Sequence, residues 1–357
     1  MRVFAQRGLA LAVAALAGFA APLARAESVT VFLSGGSFAD AQVEAFVKPF
    51  EAETGIKVNV VKQEMPLPKI SLAVQTKTVD FDLSIQDEGN AILLDRLGYL
   101  VPIDYSIYDQ KELAGMAPGM RPKWGVADIV ASFVLSYNTE TLKGKPHPTS
   151  WPDLWDVKKF PGTRTLQALL GVQGPLEEAL LADGVATKDL YPLDVDRAFR
   201  KLSEIKPYVR KWWSNGSEVM QLFNANVVDM GMSFDGRVYA LKKAGKPIEL
   251  TFNQAKYYAV YWTIPKGAKN VAAAQKFAEF ATRGRQQGKM AMISAFSPPN
   301  TNAYNYIEPE MAKNLVTSPE NIKTAYPKNA EWYATIGKDG KSNSDRLIER
   351  WNEWISN

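Results

Sequence analysis

Residues 29–61, VTVFLSGGSFADAQVEAFVKPFEAETGIKVNVV, carry the pattern that decides the fold. Residues 29–33 alternate and predict a strand, which runs into a small, polar loop. Apolar residues then recur at i, i+3, i+4 and i+7, the spacing of one helical face, at Val43, Phe46, Val47 and Phe50. Residues 56–61 alternate again. The stretch therefore predicts a β-α-β unit.

The ends of this first helix have their own signals. Ser37 followed by Asp40 is a capping-box pattern, and Gly55 should end the helix. Pro49 lies inside the helical pattern, where it removes a backbone hydrogen bond and should kink the last turn.

The same alternation of strand and helix continues along the chain. Further helices are predicted near residues 70–74 and 90–97, with a strand at 79–85 between them. Apolar runs at 129–137, 227–234 and 257–264 predict more strands, and residues 347–355 an amphipathic helix. This order predicts an α/β fold with mostly parallel sheets flanked by helices.

The first 26 residues have the composition of a secretory signal peptide. Arg2 and Arg7 precede an apolar run, and Ala24-Arg25-Ala26 matches the small-x-small cleavage pattern. The apolar run is shorter than the roughly 20 residues that a membrane-spanning helix needs. We therefore expect cleavage near Glu27, a periplasmic location and no membrane anchor.

Composition narrows the classes of function. There is no cysteine, which excludes thiol nucleophiles and disulfides, and the single histidine, His147, lies between two prolines. Three of the 42 basic residues fall in the signal peptide, against none of the 38 acidic residues. The remaining chain is close to neutral and has no electrostatic footprint for nucleic acid.

Seven short motifs, in order, resemble those of the solute-binding proteins of ABC transporters, in the spermidine/putrescine group that includes γ-aminobutyrate receptors. They span the mature chain and comprise Thr30-Val31-Phe32, residues 50–58 (FEAETGIKV), Phe81-Asp82-Leu83, Leu135-Ser136-Tyr137-Asn138, residues 151–155 (WPDLW), residues 229–237 (DMGMSFDGR) and residues 261–267 (YWTIPKG).

The resemblance implies a two-lobed periplasmic binding protein of type II, with a ligand cleft between the lobes. Lobe 1 would comprise residues 27–134, with 263–357 returning to it in part, and lobe 2 residues 135–262. The protein is expected to be a monomer that closes about two strand crossovers, near 133–138 and 257–262. It would bind a small amine-bearing solute without a cofactor or metal, catalyse no reaction, and deliver the solute to the permease of an ABC importer.

The predicted cleft has one candidate anion site. Gly35, Gly36 and Ser37 lie beyond a strand end and at a helix N-terminus, where backbone amides and the helix dipole favour a carboxylate, sulfonate or phosphonate. A tight turn with a helix cap explains the same residues equally well.

The candidate amine site combines acids with aromatic residues at other strand ends. Phe234 and Tyr258 match aromatic positions of the family, and an aromatic face attracts ammonium groups. Asp235 would add a charge-assisted hydrogen bond. Asp87 and Glu88 could also pair with an ammonium group, although a turn or helix cap is an equally good reading of them.

Four further residues are candidates for the cleft. Trp213 would form a wall, or alternatively pack in the core, and Ser214 would donate a hydrogen bond to the ligand. Arg210 and Arg237 are possible anion clamps, because a guanidinium group binds two carboxylate oxygens at once; a surface role explains either one alone.

Departures from the polyamine binders favour a short zwitterion over spermidine. Val260 stands where those proteins place a carboxylate, and Leu170, Gly171 and Gln173 stand where others are expected. Each separated ammonium group of a polyamine needs its own carboxylate, because a buried unpaired charge costs several kcal/mol. The expected ligand is therefore a γ-aminobutyrate-like zwitterion or a short polyamine.

Two other functions stay open at this point. Adjacent Tyr257 and Tyr258 could indicate a ferric-iron receptor of the same fold, although neighbours in a strand point to opposite faces. A secreted hydrolase with a pair of carboxylates is the remaining alternative, but no spacing singles out such a pair.

Overall fold

Alternating and continuous apolar runs form ten strands in the computed structural model, which describes residues 27–170 and 173–357. The strands are β1 (Ser28–Leu33), β2 (Lys57–Lys62), β3 (Leu83–Asp87), β4 (Leu100–Val101), β5 (Val126–Asn138), β6 (Arg164–Gln167), β7 (Val209–Trp213), β8 (Met230–Phe234), β9 (Ile248–Pro265) and β10 (Tyr326–Pro327). The predicted signal peptide and Gly171 lie outside the described residues.

Fifteen α-helices surround the strands in the described ranges. They are α1 (Gly36–Gln42), α2 (Lys48–Thr54), α3 (Leu67–Gln75), α4 (Glu88–Arg96), α5 (Gln110–Ala114), α6 (Trp151–Trp155), α7 (Leu176–Ala182), α8 (Val195–Ile205), α9 (Gly216–Asn224), α10 (Asp235–Lys243), α11 (Val271–Ala281), α12 (Gly284–Ser294), α13 (Pro309–Ala312), α14 (Ala330–Tyr333) and α15 (Asn343–Ser356). None of them is long and apolar enough to span a bilayer.

One continuous sheet connects the two halves of the molecule. Its order is β2-β1-β3-β9-β5-β8-β6-β7, and β4 and β10 both pair with β9. Five of the nine strand pairings among the described residues are parallel. The antiparallel pairings involve the two long strands, β5 and β9, which lie side by side at the centre. The predicted mostly parallel α/β architecture is confirmed.

The buried apolar side chains form two large clusters, one on each side of the middle of β5 and β9. The first contains β1, β2, the start of β5 and helices α11 and α12. The second contains the end of β5, β6, β8, α7 and α8. The final helix α15 joins the second cluster through Leu347 and Trp351. Residues after 262 therefore contribute to both halves of the molecule.

The first helical stretch differs from the prediction at its start and in its middle. Its N-cap is Gly35, with no capping bond from a side chain, so the Ser37–Asp40 capping box is wrong. A π-helical segment, Val43–Val47, separates α1 from α2, and the Lys48 amide bonds to the Val43 carbonyl five residues back. Because Pro49 has no amide hydrogen, the regular α-helical hydrogen-bond pattern is interrupted there, and the residues before it form the wider π-helical hydrogen bonds instead.

Candidate ligand-binding site

Strand ends from both halves of the sheet meet midway along β5 and β9. Asp87, the last residue of β3, pairs with Val260, and Phe234, the last residue of β8, pairs with Phe133. Tyr258 lies on β9 between these two points. In open α/β sheets, ligands bind beyond the carboxyl ends of strands. The region around Tyr258, called the cleft below, is therefore the candidate site.

Aromatic rings form one part of the cleft. Tyr258 stacks on Phe133 with ring centroids 5.5 Å apart, and Phe234 lies 4.7 Å from Phe133. Phe234 and Tyr258 are only partly buried. Trp213 does not line the cleft: it is wholly buried behind Phe234, 5.3 Å from its ring, and its Nε1 donates to the Met232 carbonyl. Its role is to support the Phe234 ring, so the core reading of Trp213 is correct.

Lys328 is a cleft residue that the sequence analysis missed. Its backbone amide donates to the Tyr257 carbonyl at 2.9 Å, immediately after β10, and its Nζ lies 4.9 Å from the centre of the Tyr258 ring. The residue is 5% exposed. Burial lowers the pKa of its ammonium group, while Asp87 and Glu88 oppose that shift.

Asp87 and Glu88 lie at the lobe 1 side of the cleft. Asp87 is the N-cap of α4: its carboxylate accepts from the Asn90 amide at 2.9 Å and from the Asn90 side chain at 2.6 Å. Glu88 makes no hydrogen bond or ion pair with another described residue through its carboxyl. Burial raises the pKa of Glu88 to about 7. Asp87 is thus engaged in the helix cap, and Glu88 is the carboxyl that remains available.

Asp235 is buried at the start of α10 and is turned toward β5. It accepts hydrogen bonds from the Ser132 hydroxyl at 2.7 Å, the Ser132 amide at 3.3 Å and the Gly236 amide at 2.8 Å. Burial nevertheless raises the pKa of Asp235 to about 6. Its charge also reaches the Tyr258 hydroxyl, whose pKa is raised by burial and by Asp235. Three hydrogen bonds therefore fix this carboxylate, which is 1% exposed, beside β5.

The predicted anion loop is exposed beyond the end of β1. Gly35, Gly36 and Ser37 are all solvent-accessible, and Gly36 has a φ of +70°, a conformation that favours glycine. No side chain caps α1 at Gly35. The loop therefore presents first-turn amides to solvent at a strand end, as a backbone anion site requires.

The remaining candidates lie at different distances from the cleft. The amide and hydroxyl of Ser214 both donate to Glu218, at 2.7 and 3.0 Å, so this hydroxyl is already engaged. Arg237 is exposed beside Gly216, and its charge reaches Tyr258. Arg210 is exposed near the start of β7, three residues before the strand end, and its clamp role stays a prediction.

A buried ionic network stands next to the aromatic rings. Lys256 Nζ bonds to Glu177 at 2.9 Å, Glu178 at 3.0 Å and the Gly174 carbonyl at 2.7 Å, and all three side chains are wholly buried. Lys256 Nζ also lies 5.3 Å from the Phe133 ring centre. The only sequence signal was a pair of acids in the apolar helix α7, which resembles an exposed helix face.

Two groups of strands that share β5 and β9, with charged and aromatic residues at their junction, define a two-lobed α/β binding protein. The model of the bacterial extracellular solute-binding protein family matches residues 45–320. The chain belongs to this family, and the fold predicted from the seven motifs is confirmed.

Relatives with similarity over nearly the whole chain agree with this assignment. A γ-aminobutyric acid-binding protein of Pseudomonas aeruginosa is 31% identical over 96% of this chain and 94% of its own. The crystal structure of an ABC transporter substrate-binding protein from Bradyrhizobium japonicum is 33% identical, covers 92% of this chain and 99% of its own, and has a TM-score of 0.82. A structure titled as a GABA receptor is 32% identical over 92% and 97% of the two chains, with a TM-score of 0.81.

Proposed function

We propose that this chain is the periplasmic solute-binding component of an ABC importer. Its ligand is a small solute with an ammonium group and an anionic group, of the γ-aminobutyrate type. Similarity to the γ-aminobutyric acid-binding protein of Pseudomonas and to the two solved structures supports this assignment. The protein would bind its solute unchanged and present it to the permease subunits.

The observation that carries the proposal is the set of opposite charges around Tyr258. The Nζ of Lys328 stands over its ring. Burial, Asp235 and Asp87 raise the pKa of its hydroxyl, and Arg237 lowers it. These residues come from separate parts of the chain. A zwitterion can satisfy both signs of charge at once, whereas a ligand of a single sign leaves one set desolvated and unpaired.

The acids nearest the cleft do not suit a long polyamine. Glu177 and Glu178 are both bonded to Lys256 and wholly buried, so neither is free to pair with an ammonium group of the ligand. Val260 supplies no charge beside Tyr258. Spermidine would therefore bury ammonium groups without enough carboxylates, at a cost of several kcal/mol for each.

The two alternative functions lack support from the geometry. Tyr257 and Tyr258 are successive residues of an extended strand and so point to opposite faces, which disfavours a shared iron ligand pair. Asp87 and Asp235 are held by an N-cap and by Ser132, respectively, which favours a structural and electrostatic role over acid-base catalysis.

Calorimetry with γ-aminobutyrate, putrescine and spermidine tests the proposal. We expect γ-aminobutyrate to bind more tightly than either polyamine, as one saturable event per chain, and to be recovered unchanged. Spermidine binding best would contradict the zwitterion assignment, and turnover of any of the three solutes would contradict the assignment as a binding protein.

A further inference from the structure

Lys328 is a buried ammonium group without a direct anionic partner. The residue is only 5% exposed, and its Nζ makes no hydrogen bond or ion pair with another described residue, although the Nζ atom itself still reaches solvent. Lys256, the other buried lysine next to the cleft, is by contrast paired with two glutamates. Burying an unpaired ammonium group costs several kcal/mol, so its retention needs a reason.

The backbone places this side chain in the cleft. β10 runs parallel to β9, with Tyr326 beside Lys256 and Pro327 beside Tyr257, so Lys328 follows next to Tyr258. Asp87 and Glu88 influence Lys328 from beyond ion-pair distance. Lys328 also lies outside residues 45–320, the part of the chain that the family model covers.

Two carboxyls, Asp87 and Glu88, lie near enough to influence Lys328, but neither is within ion-pair distance of its Nζ. Burial outweighs the attraction of Lys328 and raises the pKa of Glu88 to about 7. The carboxylate of Asp87 is already held by Asn90. The ammonium group of Lys328 is therefore not neutralised by a direct contact with either carboxyl.

We propose that Lys328 is the principal counter-ion for an anionic group of the solute, so that the cleft selects ligands that carry a carboxylate or a similar oxyanion. This inference rests on the proposed function and specifies the ligand class further. Because Lys328 already occupies a position over the Tyr258 ring, the ammonium group of the ligand binds elsewhere, towards Phe234 and Asp235.

The test compares Lys328→Gln with the wild-type protein and with Lys246→Gln, an exposed control that is not in the cleft. The probes are γ-aminobutyrate and putrescine, which have similar chains but end in a carboxylate and an ammonium group, respectively. We expect Lys328→Gln to weaken γ-aminobutyrate binding by about 30-fold or more. Putrescine binding should be unchanged or tighter, because a repelling charge has been removed.

A second measurement separates recognition from a structural role. Without ligand, Lys328→Gln should melt at the same temperature as the wild type or higher, because it removes an unpaired buried charge. A lower melting temperature with equal loss of both probes would show that Lys328 is structural and would overturn the inference. Unchanged γ-aminobutyrate affinity in Lys328→Gln would also overturn it, while leaving the proposed function intact. Wild-type protein that binds neither probe would instead refute the proposed function.

Discussion

Glu177 and Glu178 are neighbours in α7, but their carboxyls respond oppositely to the same surroundings. Burial disfavours ionisation of both. Lys256 and the Tyr191 hydroxyl, which donates to Glu177 at 2.5 Å, outweigh burial and hold the pKa of Glu177 below its usual value. At Glu178, burial outweighs the attraction of Lys256 and raises the pKa to about 7. A carboxylate and a carboxyl that is only partly ionised at neutral pH therefore share the Lys256 ammonium group.

This difference predicts opposite effects of two adjacent substitutions on stability. A raised folded-state pKa means that Glu178 contributes stability below its unfolded pKa near 4.5, and that this contribution is lost as pH rises through about 7. Glu178→Gln should therefore gain stability relative to the wild type between pH 5 and pH 8, by an amount on the order of 3 kcal/mol. Thermal and urea unfolding across this pH range measure the effect.

Glu177→Gln is the matched variant for this prediction. It removes the carboxylate that Lys256 needs and should destabilise the protein by about 3 kcal/mol or more near neutral pH. If both glutamine variants lost stability equally at every pH, the assignment of the proton to Glu178 would be wrong.

Asp235 allows a direct prediction about ligand affinity. If its carboxylate receives the ammonium group of the ligand, Asp235→Asn should weaken γ-aminobutyrate binding about 30-fold or more. Asp80→Asn changes an exposed carboxylate away from the cleft and should have little effect. Because the pKa of Asp235 is about 6 and the ionised form binds, wild-type affinity should fall as pH drops below 6. Calorimetry at pH 5 and pH 7.5 would show this dependence, and an unchanged affinity in Asp235→Asn would refute the amine site.

Cleft residues that match aromatic positions of the family were predictable, whereas residues brought in from elsewhere were not. Phe234 and Tyr258 were expected from that resemblance, and the structure brings them together around Phe133. Lys328 reaches the cleft only because a two-residue strand pairs with β9, some 70 positions earlier, and two residues carry no readable pattern. Lys256 resembles the polar, outward-facing residue of an alternating strand until its buried partners in α7 are known.

At the scale of the element, β8 depends on a glycine at a close backbone contact. A Cβ atom added to Gly231 would lie 2.0 Å from the Thr165 carbonyl oxygen of the adjacent strand β6. Gly231→Ala must separate these strands and should cost about 3 kcal/mol of unfolding free energy. Gly119→Ala, where an added Cβ atom meets no neighbour, should change it by less than about 0.5 kcal/mol. Urea unfolding of the two variants decides this, and equal stabilities would refute the steric argument.

The elements themselves were largely predictable, and their ends were less so. Strong periodicity located β1, β2 and the helices α3 and α4 close to their observed positions. The strand predicted at 79–85 is shorter and shifted, because β3 begins at Leu83 and runs on to Asp87. The π-helical segment before Pro49 was expected only as a kink, because the sequence shows where a hydrogen bond is lost and not how the backbone replaces it.

At the scale of the whole molecule, the continuous central strands predict how the protein should respond to its ligand. Both β5 and β9 pass from one apolar cluster to the other, so bending near residues 133–138 and 257–262, the crossovers expected from the sequence, would rotate the two halves about the cleft. We expect a saturating ligand to close the cleft and lower the radius of gyration measured by solution scattering. An identical scattering curve with and without bound ligand would contradict this hinge.

The arrangement of the whole chain was predictable mainly through the resemblance of its motifs to a known family. Periodicity alone predicts an α/β fold but not which strands are neighbours, because pairing is decided by contacts between distant residues. The position of α15 in the fold shows this limit. Its amphipathic pattern predicts one buried face, but only the packing of Trp351 and Trp354 against Trp212 and Phe199 places it in the second cluster.

The central position of β9 constrains the order in which the protein can fold as it is synthesised. β9 separates β3 from β5 in the sheet and is the only described partner of β4, yet it begins more than 100 residues after β5. The amino-terminal half of a growing chain therefore cannot complete its sheet until residues 248–265 have left the ribosome. Until then the amino-terminal half stays incompletely folded, and an incompletely folded chain is the form that a protein-conducting channel can pass.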